Sequence, residues 1–127
     1  MDYNFLMEKA KEVSEKAYAP YSNFRVGACV LAQSGNVYTG CNVENSSYGL
    51  SMCAERCAIA NAISSGEKAL AAIAIYSPNS IKCLPCGSCR QVIYEFQQDS
   101  EVDIITRTNN GYEVHKINDL LPEAFKL

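Results

Sequence analysis

Apolar residues recur along the chain at two spacings, one typical of helices and one typical of strands. The segment 3–18 has apolar residues about one helical turn apart, from Leu6 to Ala17, and predicts a helix that ends before Pro20. Strands are predicted in five other apolar segments: 24–32, 36–44, 70–77, 101–108 and 112–117. The segment 70–77 is apolar throughout, which is typical of a strand buried on both faces.

Two more helices are predicted between these strands. The first covers 53–65, is apolar on almost every face and ends at Gly66, a favoured C-terminal cap. A helix without a polar face lies inside the protein or against a partner subunit. The second helix begins near Pro85, and a short one is expected in 117–125. This order predicts one domain over residues 1–127, a three-layer α/β/α structure with a central five-stranded sheet.

Composition and charge exclude several classes of protein. Hydrophobic residues make up 48% of the 127 residues, charged residues 20%, and the net charge is −3. This balance is typical of a globular protein, and it argues against nucleic-acid partners, which require clustered Lys and Arg. No apolar run approaches the roughly 18 residues of a membrane span, and the N-terminus is too charged for a signal peptide. We therefore expect a cytoplasmic protein without membrane contact.

The chain has seven cysteines, and three of them lie at the predicted starts of two helices. Cys53 opens the first of these helices, and Cys86 and Cys89 form a C-x-x-C pair at the start of the second. Such a pair alone fits a metal site, a redox dithiol or two buried thiols. With the third thiol, the set is typical of a catalytic zinc site, because three soft ligands leave one tetrahedral position open for water.

Two charged residues follow Cys53 at the start of the same apolar helix. A charge is costly to bury unless it is paired or lies near a metal, so Glu55 is expected to face the site as a proton-transferring base that does not bind the metal. Three thiolates would give the centre a negative charge. Arg56 is expected to offset this charge by hydrogen-bonding the thiolates, although an average arginine would simply lie at the surface.

The segments around these residues resemble the small, homotetrameric cytidine deaminases, which are zinc nucleoside deaminases. The matching stretches are "AYAPYSNFRVGA", "GCNVENSSYGLSMCAER", "PCGSCRQVI" and "LLPEAF", and the resemblance covers essentially the whole chain. It implies a mixed central sheet and one Zn²⁺ per chain held by Cys53, Cys86 and Cys89, with Glu55 as the proton shuttle. It also implies a homotetramer whose active sites are completed by neighbouring subunits.

The resemblance implies substrate-binding roles for six more residues. In this family an N-x-E pair binds ribose, an aromatic residue lines the pyrimidine pocket, a backbone segment reads the base edge, and two aromatic residues close the site or reach a neighbour's site. The matching residues are Asn42, Glu44, Phe24, Ala54, Tyr48 and Phe125. Without the resemblance, the N-x-E pair would be interpreted as ordinary polar residues at a strand end, and the phenylalanines as core residues.

We therefore expect zinc-dependent deamination of cytidine and deoxycytidine, with a role in pyrimidine salvage. One alternative is a deaminase of a related aminopyrimidine nucleoside such as blasticidin S. Another is a structural zinc module, which would need a fourth protein ligand, either Cys57 or Cys83. A thiol oxidoreductase that uses Cys86 and Cys89 would leave Cys53 and Glu55 without a function.

Overall fold

The computed structural model describes residues 2–127, so Met1 of the predicted domain lies outside the described residues. The helices are α1 (Asn4–Ser14), α2 (Ala54–Ser64), α3 (Gly87–Glu95) and α4 (Ile117–Leu120), with a single 3₁₀ turn at Tyr48–Leu50. The strands are β1 (Gly27–Ala32), β2 (Val37–Cys41), β3 (Leu70–Tyr76), β4 (Asp103–Thr108) and β5 (Gly111–Lys116). None of these helices is long and apolar enough to cross a membrane.

The strands form one mixed sheet in the order β2-β1-β3-β4-β5. β3 and β4 are parallel, and every other neighbouring pair is antiparallel. A parallel pair needs a crossover connection, and α3 lies in the connection between β3 and β4. The predicted α/β class and the five-stranded mixed sheet are confirmed.

Apolar side chains of the central strands point alternately to the two faces of the sheet. All six residues of β1 are buried. Ala28 and Val30 belong to a core cluster that includes residues of α2 and α3, whereas Cys29 and Leu31 belong to a second cluster with residues of α1. The sheet therefore lies between α1 on one face and the other helices on the opposite face, as the three-layer prediction requires.

The first helix and first strand are both shorter than predicted, because a distant segment takes their backbone groups. α1 ends at Ser14 rather than near residue 18, and the Tyr18 N–H donates to Asn42 O at 2.9 Å. β1 begins at Gly27 rather than at Phe24. The Asn42 side chain accepts from Val26 N at 2.9 Å and donates to Phe24 O at 2.8 Å. An amide side chain thus replaces a strand partner there.

Helix α2 approaches the sheet unusually closely at Gly40 of β2. A Cβ atom at this position would lie 2.3 Å from the backbone nitrogen of Ala58 and 2.9 Å from the backbone oxygen of Ala54. Only glycine permits this contact, so the residue fixes the distance between α2 and β2. At its other end the helix is followed by Gly66 with φ of 105°, and the predicted glycine cap is confirmed.

Candidate active site

Three thiols meet where helices α2 and α3 begin. Cys53 is the N-cap residue of α2, Cys86 is the N-cap residue of α3, and Cys89 lies in the first turn of α3. Their sulfur atoms all lie within 4.8 Å of one another. Because Cys53 and Cys86 are N-cap residues, they lie at the helix ends that carry partial positive charge, which favours thiolates there.

The surroundings of Cys53 favour the charged form of its thiol. A hydrogen bond from Cys89, assisted by Arg56, lowers the pKa of Cys53 to about 5 despite its partial burial. The same bond, together with burial, raises the pKa of Cys89. One thiolate at Cys53 is therefore stabilised by the protein itself.

Arg56 lies beside this thiolate. Its Nη2 atom is 3.7 Å from the Cys53 sulfur and donates to Ser51 O at 3.3 Å. Its Nε atom is buried, and among residues 2–127 it has no hydrogen-bond partner. The guanidinium is thus held against the cluster rather than extended into solvent, which agrees with the position expected from the sequence.

The donor set suits zinc. Three thiolate sulfurs are soft ligands, and a tetrahedral Zn²⁺ with Zn–S bonds of about 2.3 Å fits among sulfurs at this separation. Neither Cys57 nor Cys83 belongs to the group of clustered ligand atoms among the described residues. The fourth protein ligand that a closed, structural zinc site requires is therefore not found in this part of the chain.

Glu55 lies in the first turn of α2, next to the thiols, with only 5% of its surface exposed. Burial is the main reason that the pKa of its carboxyl group is raised to about 7, and the negative charge of Cys53 adds to the effect. A carboxyl group with this pKa can both accept and release a proton near neutral pH. Its burial in a cavity wall makes it a candidate catalytic residue.

A cavity of about 350 Å³ opens in front of the thiols and Glu55. Its lining joins the cluster to several of the predicted substrate-binding residues. The lining residues are Ser22, Phe24, Val26, Asn42, Glu44, Ser51, Met52, Cys53, Ala54, Glu55, Cys83, Leu84 and Cys86. Four of the predicted substrate-binding residues, Phe24, Asn42, Glu44 and Ala54, therefore line one cavity with the candidate catalytic centre.

Glu44 lines the same cavity as Cys53 and Cys86, and the chain segment of residues 21 and 22 holds its carboxylate. Its Oε1 atom accepts from the backbone N–H groups of Tyr21 at 3.0 Å and Ser22 at 3.1 Å. Its Oε2 atom accepts from the hydroxyl group of Ser22. These bonds, led by the one from the Ser22 hydroxyl, lower the pKa of Glu44 and keep it charged.

Two predicted residues do not line the cavity of their own chain. Tyr48 is 85% exposed and Phe125 is 70% exposed. Contacts of these side chains with a neighbouring subunit remain a prediction.

Sequence reasoning also missed residues that line the cavity, above all Ser22. Its position in "YSNF", two residues before Phe24, was the available signal, but its bond to Glu44 joins segments far apart in the chain.

The comparisons with known proteins agree with this site. The family described as "Cytidine and deoxycytidylate deaminase zinc-binding region" matches residues 1–105. A cytidine deaminase of Sporosarcina psychrophila is 42% identical over 98% of this chain and 92% of the relative. The chain therefore belongs to the cytidine deaminase family and is an enzyme. The resemblance noted in the sequence is confirmed.

Solved structures give the same result for the fold. The crystal structure of a cytidine deaminase from Burkholderia pseudomallei has a TM-score of 0.89 and 44% identity, covering 98% of this chain and 100% of that one. That of Mycobacterium tuberculosis has a TM-score of 0.88 and 42% identity, covering 100% and 99%. The arrangement of sheet and helices described above is thus the arrangement of cytidine deaminases.

Proposed function

We propose that the protein hydrolyses the exocyclic amino group of cytidine and deoxycytidine, giving uridine or deoxyuridine and ammonia. One Zn²⁺ per chain is held by Cys53, Cys86 and Cys89. The observation that carries the proposal is the shared cavity: Glu44 lines it together with the buried Glu55 and with Cys53 and Cys86 of the thiol cluster. A nucleoside fits this arrangement, with its base at the thiols and its sugar at the polar wall.

Zinc, when bound there, supplies a Lewis acid that makes water a nucleophile near neutral pH. Glu55 takes the proton from the attacking water and delivers it to N3 of the base, which makes C4 electrophilic. The same carboxylate then takes the second proton from the oxygen newly bonded to C4 and passes it to the amino group. The C4–N bond breaks, ammonia leaves and the oxygen becomes the C4 carbonyl of the product. A pKa of about 7 suits both transfers, because Glu55 is neither a strong acid nor a strong base at neutral pH.

The hydrogen bonds already made by Asn42 and Glu44 support binding of a sugar hydroxyl group. The carboxylate of Glu44 has four lone-pair sites, and three are taken by donors of residues 21 and 22. The Asn42 amide donates one of its two N–H groups to Phe24 O, so the other remains for a ligand. A hydroxyl group of the sugar can accept from Asn42 and donate to Glu44 at once, and free cytosine has no such hydroxyl group.

The charge of the cavity favours nucleosides over nucleotides. The described lining residues include the carboxylates Glu44 and Glu55 but no lysine, arginine or histidine. A phosphate group would therefore meet negative charge without a cationic partner. This distinction matters because the matching family includes deaminases of deoxycytidylate.

We also propose that the enzyme is a homotetramer in which neighbouring subunits complete each active site. Tyr48 and Phe125 are largely exposed on the single chain, and exposed aromatic side chains are suited to contacts with a second copy. Light scattering gives the mass. Mixing Phe125→Ala subunits with Glu55→Ala subunits should regain activity above the sum of the two variants, because a mixed assembly can contain intact sites. No regain would exclude such a contribution from Phe125.

The proposed setting is pyrimidine salvage in the cytoplasm. One experiment tests the activity itself. The purified protein is analysed for zinc, and the loss of absorbance is followed with cytidine, deoxycytidine, cytosine, deoxycytidylate and blasticidin S. We expect one zinc per chain and turnover of the first two compounds only. Turnover of blasticidin S alone would identify the related nucleoside deaminase. Bound zinc without turnover would favour a structural module.

A variant tests the mechanism. Glu55→Gln keeps the size of the side chain and the thiol ligands but cannot transfer a proton. We expect unchanged zinc content and circular dichroism, with kcat lower by about 10²- to 10⁴-fold. A rate near that of the wild type in a zinc-loaded, folded variant would disprove the role of Glu55.

A further inference from the structure

Ser22 has a hydroxyl group with a fixed direction at the rim of the cavity. Its oxygen accepts a hydrogen bond from the Phe24 backbone N–H at 3.0 Å, so its hydrogen is free to point elsewhere. It points at Oε2 of Glu44. Asn23, between the two residues, has φ of 57°, a conformation that asparagine tolerates and that turns the chain back onto Ser22.

This hydroxyl is the one side-chain donor among the described contacts of the Glu44 carboxylate. The other two donors are backbone N–H groups, and both bind the opposite oxygen, Oε1. Two bonds hold Oε1, but neither of them binds Oε2 directly. The Ser22 hydroxyl fixes Oε2, the oxygen whose remaining lone pair is available to a ligand.

We propose that Ser22 is a positioning residue for Glu44 and that it sets the preference of the enzyme for nucleosides with a 3′-hydroxyl group. The proposal rests on the function proposed above and adds a residue to its specificity. Ser22 aims one acceptor site of Glu44 at the sugar, and the remaining Asn42 N–H completes the pair of partners for that hydroxyl. The alignment does not increase the affinity for a ligand that lacks this hydroxyl group.

Electrostatics support the same role. The Ser22 hydroxyl makes the largest contribution to lowering the pKa of Glu44. A charged carboxylate is a stronger acceptor than a protonated one, so the bond preserves the acceptor strength of Glu44 as well as its direction. Ser22 is exposed, and its replacement removes no core packing.

The chain offers a matched control at Ser34. The hydroxyl oxygen of Ser34 also accepts from the backbone N–H two residues later, at 3.3 Å from Asn36 N, and it also donates to a glutamate, at 2.9 Å from Glu67 Oε2. This second motif lies in the turn between β1 and β2 and does not line the cavity. Ser34→Ala therefore removes the same chemical bond without altering the proposed sugar site.

The experiment compares Ser22→Ala, Ser22→Thr and Ser34→Ala as zinc-loaded enzymes. For each, kcat and KM are measured with cytidine and with 3′-deoxycytidine. In Ser22→Ala we expect KM for cytidine to rise about tenfold with kcat nearly unchanged, whereas KM for 3′-deoxycytidine stays constant. Ser22→Thr restores the hydroxyl and the preference, and Ser34→Ala behaves as the wild type.

Other results would overturn the inference. An equal loss on both substrates would show that Ser22 supports the loop but not the recognition of the hydroxyl. Combining Ser22→Ala with Glu44→Gln is a second test, because the serine should have little further effect once the carboxylate is gone. A full additional effect would show that Ser22 acts independently of Glu44. Failure of the wild type to deaminate cytidine would instead refute the proposed function, and the inference with it.

Discussion

Replacing Gly40 by alanine tests how closely the fold and the candidate active site depend on each other. The added Cβ would lie 2.3 Å from Ala58 N and 2.8 Å from the carbonyl carbon of Cys57. Both atoms belong to the backbone of α2, so neither can swing aside. To regain an ordinary contact, α2 would have to withdraw from β2 by about 1 Å. Cys53, at the start of α2, would move with it.

The expected cost follows from this overlap. Overpacking against a rigid element destabilises a fold by about 3 kcal/mol, which lowers Tm by about 10 °C in a chain of this size. Thermal unfolding followed by circular dichroism measures the shift, at one protein concentration because an oligomer unfolds in a concentration-dependent way. Zinc content is measured in parallel. We expect it to fall, because displacement of Cys53 loosens the thiol cluster.

Gly49→Ala is the control for this substitution. Nothing lies within 4 Å of a Cβ at that position, so we expect a change in stability below about 0.5 kcal/mol. If Gly40→Ala unfolds at the same temperature as Gly49→Ala and retains its zinc, then the close approach of α2 to β2 does not position the cluster. That result would refute the reasoning.

The remaining predictions concern the metal ligands and one buried tyrosine. Cys89→Ser should lose zinc and activity. Cys83→Ser should keep both, because Cys83 lies outside the thiol cluster. Equal zinc content in the two variants would contradict this assignment. Tyr3 donates to Asp103 at 2.6 Å, and burial is the main cause that raises the pKa of Tyr3 to about 12. Tyr3→Phe should therefore lower stability by about 1 kcal/mol at pH 7. The difference in stability between the wild type and this variant should persist up to about pH 10 and disappear as the pH rises towards 12, because ionised Tyr3 cannot donate a hydrogen bond. A constant difference between pH 7 and 12 would argue against the bond.

The sequence predicted the helices and strands that have a clear local hydrophobic pattern. It did not predict the ends of those helices and strands that are fixed by contacts with distant segments. The segment 70–77 has the uninterrupted apolar run of a central strand, and β3 lies there. Residues 24–26 continue the apolar pattern of β1 equally well, yet they are not in a strand. Their backbone groups bond mainly to side chains, among them those of Asn42 and Asn79, rather than to another strand. Hydrophobic periodicity carries no information about such a bond.

The residues of the candidate site likewise differ in whether the sequence could predict them. The thiols could be predicted because their spacing places them at helix starts, where side chains from neighbouring positions converge. Ser22 could not, because its role depends on the meeting of two loops that only the folded chain brings together. Tyr48 and Phe125 belong to a third group. Their expected contacts lie in a second subunit, so neither the sequence pattern nor the fold of one chain tests them.

The polar wall of the cavity is held by hydrogen bonds within the chain itself. Asn42 and Glu44 bind the backbone of the segment 21–26 through the same side chains that face the cavity. The loop of residues 21–26 therefore loses its conformational entropy during folding, and substrate binding need not order it. The same double use of these side chains limits redesign of the sugar site. A substitution at Asn42 meant to admit a different sugar would also remove the bonds of this side chain to Val26 and Phe24, so it would change the loop together with the sugar site.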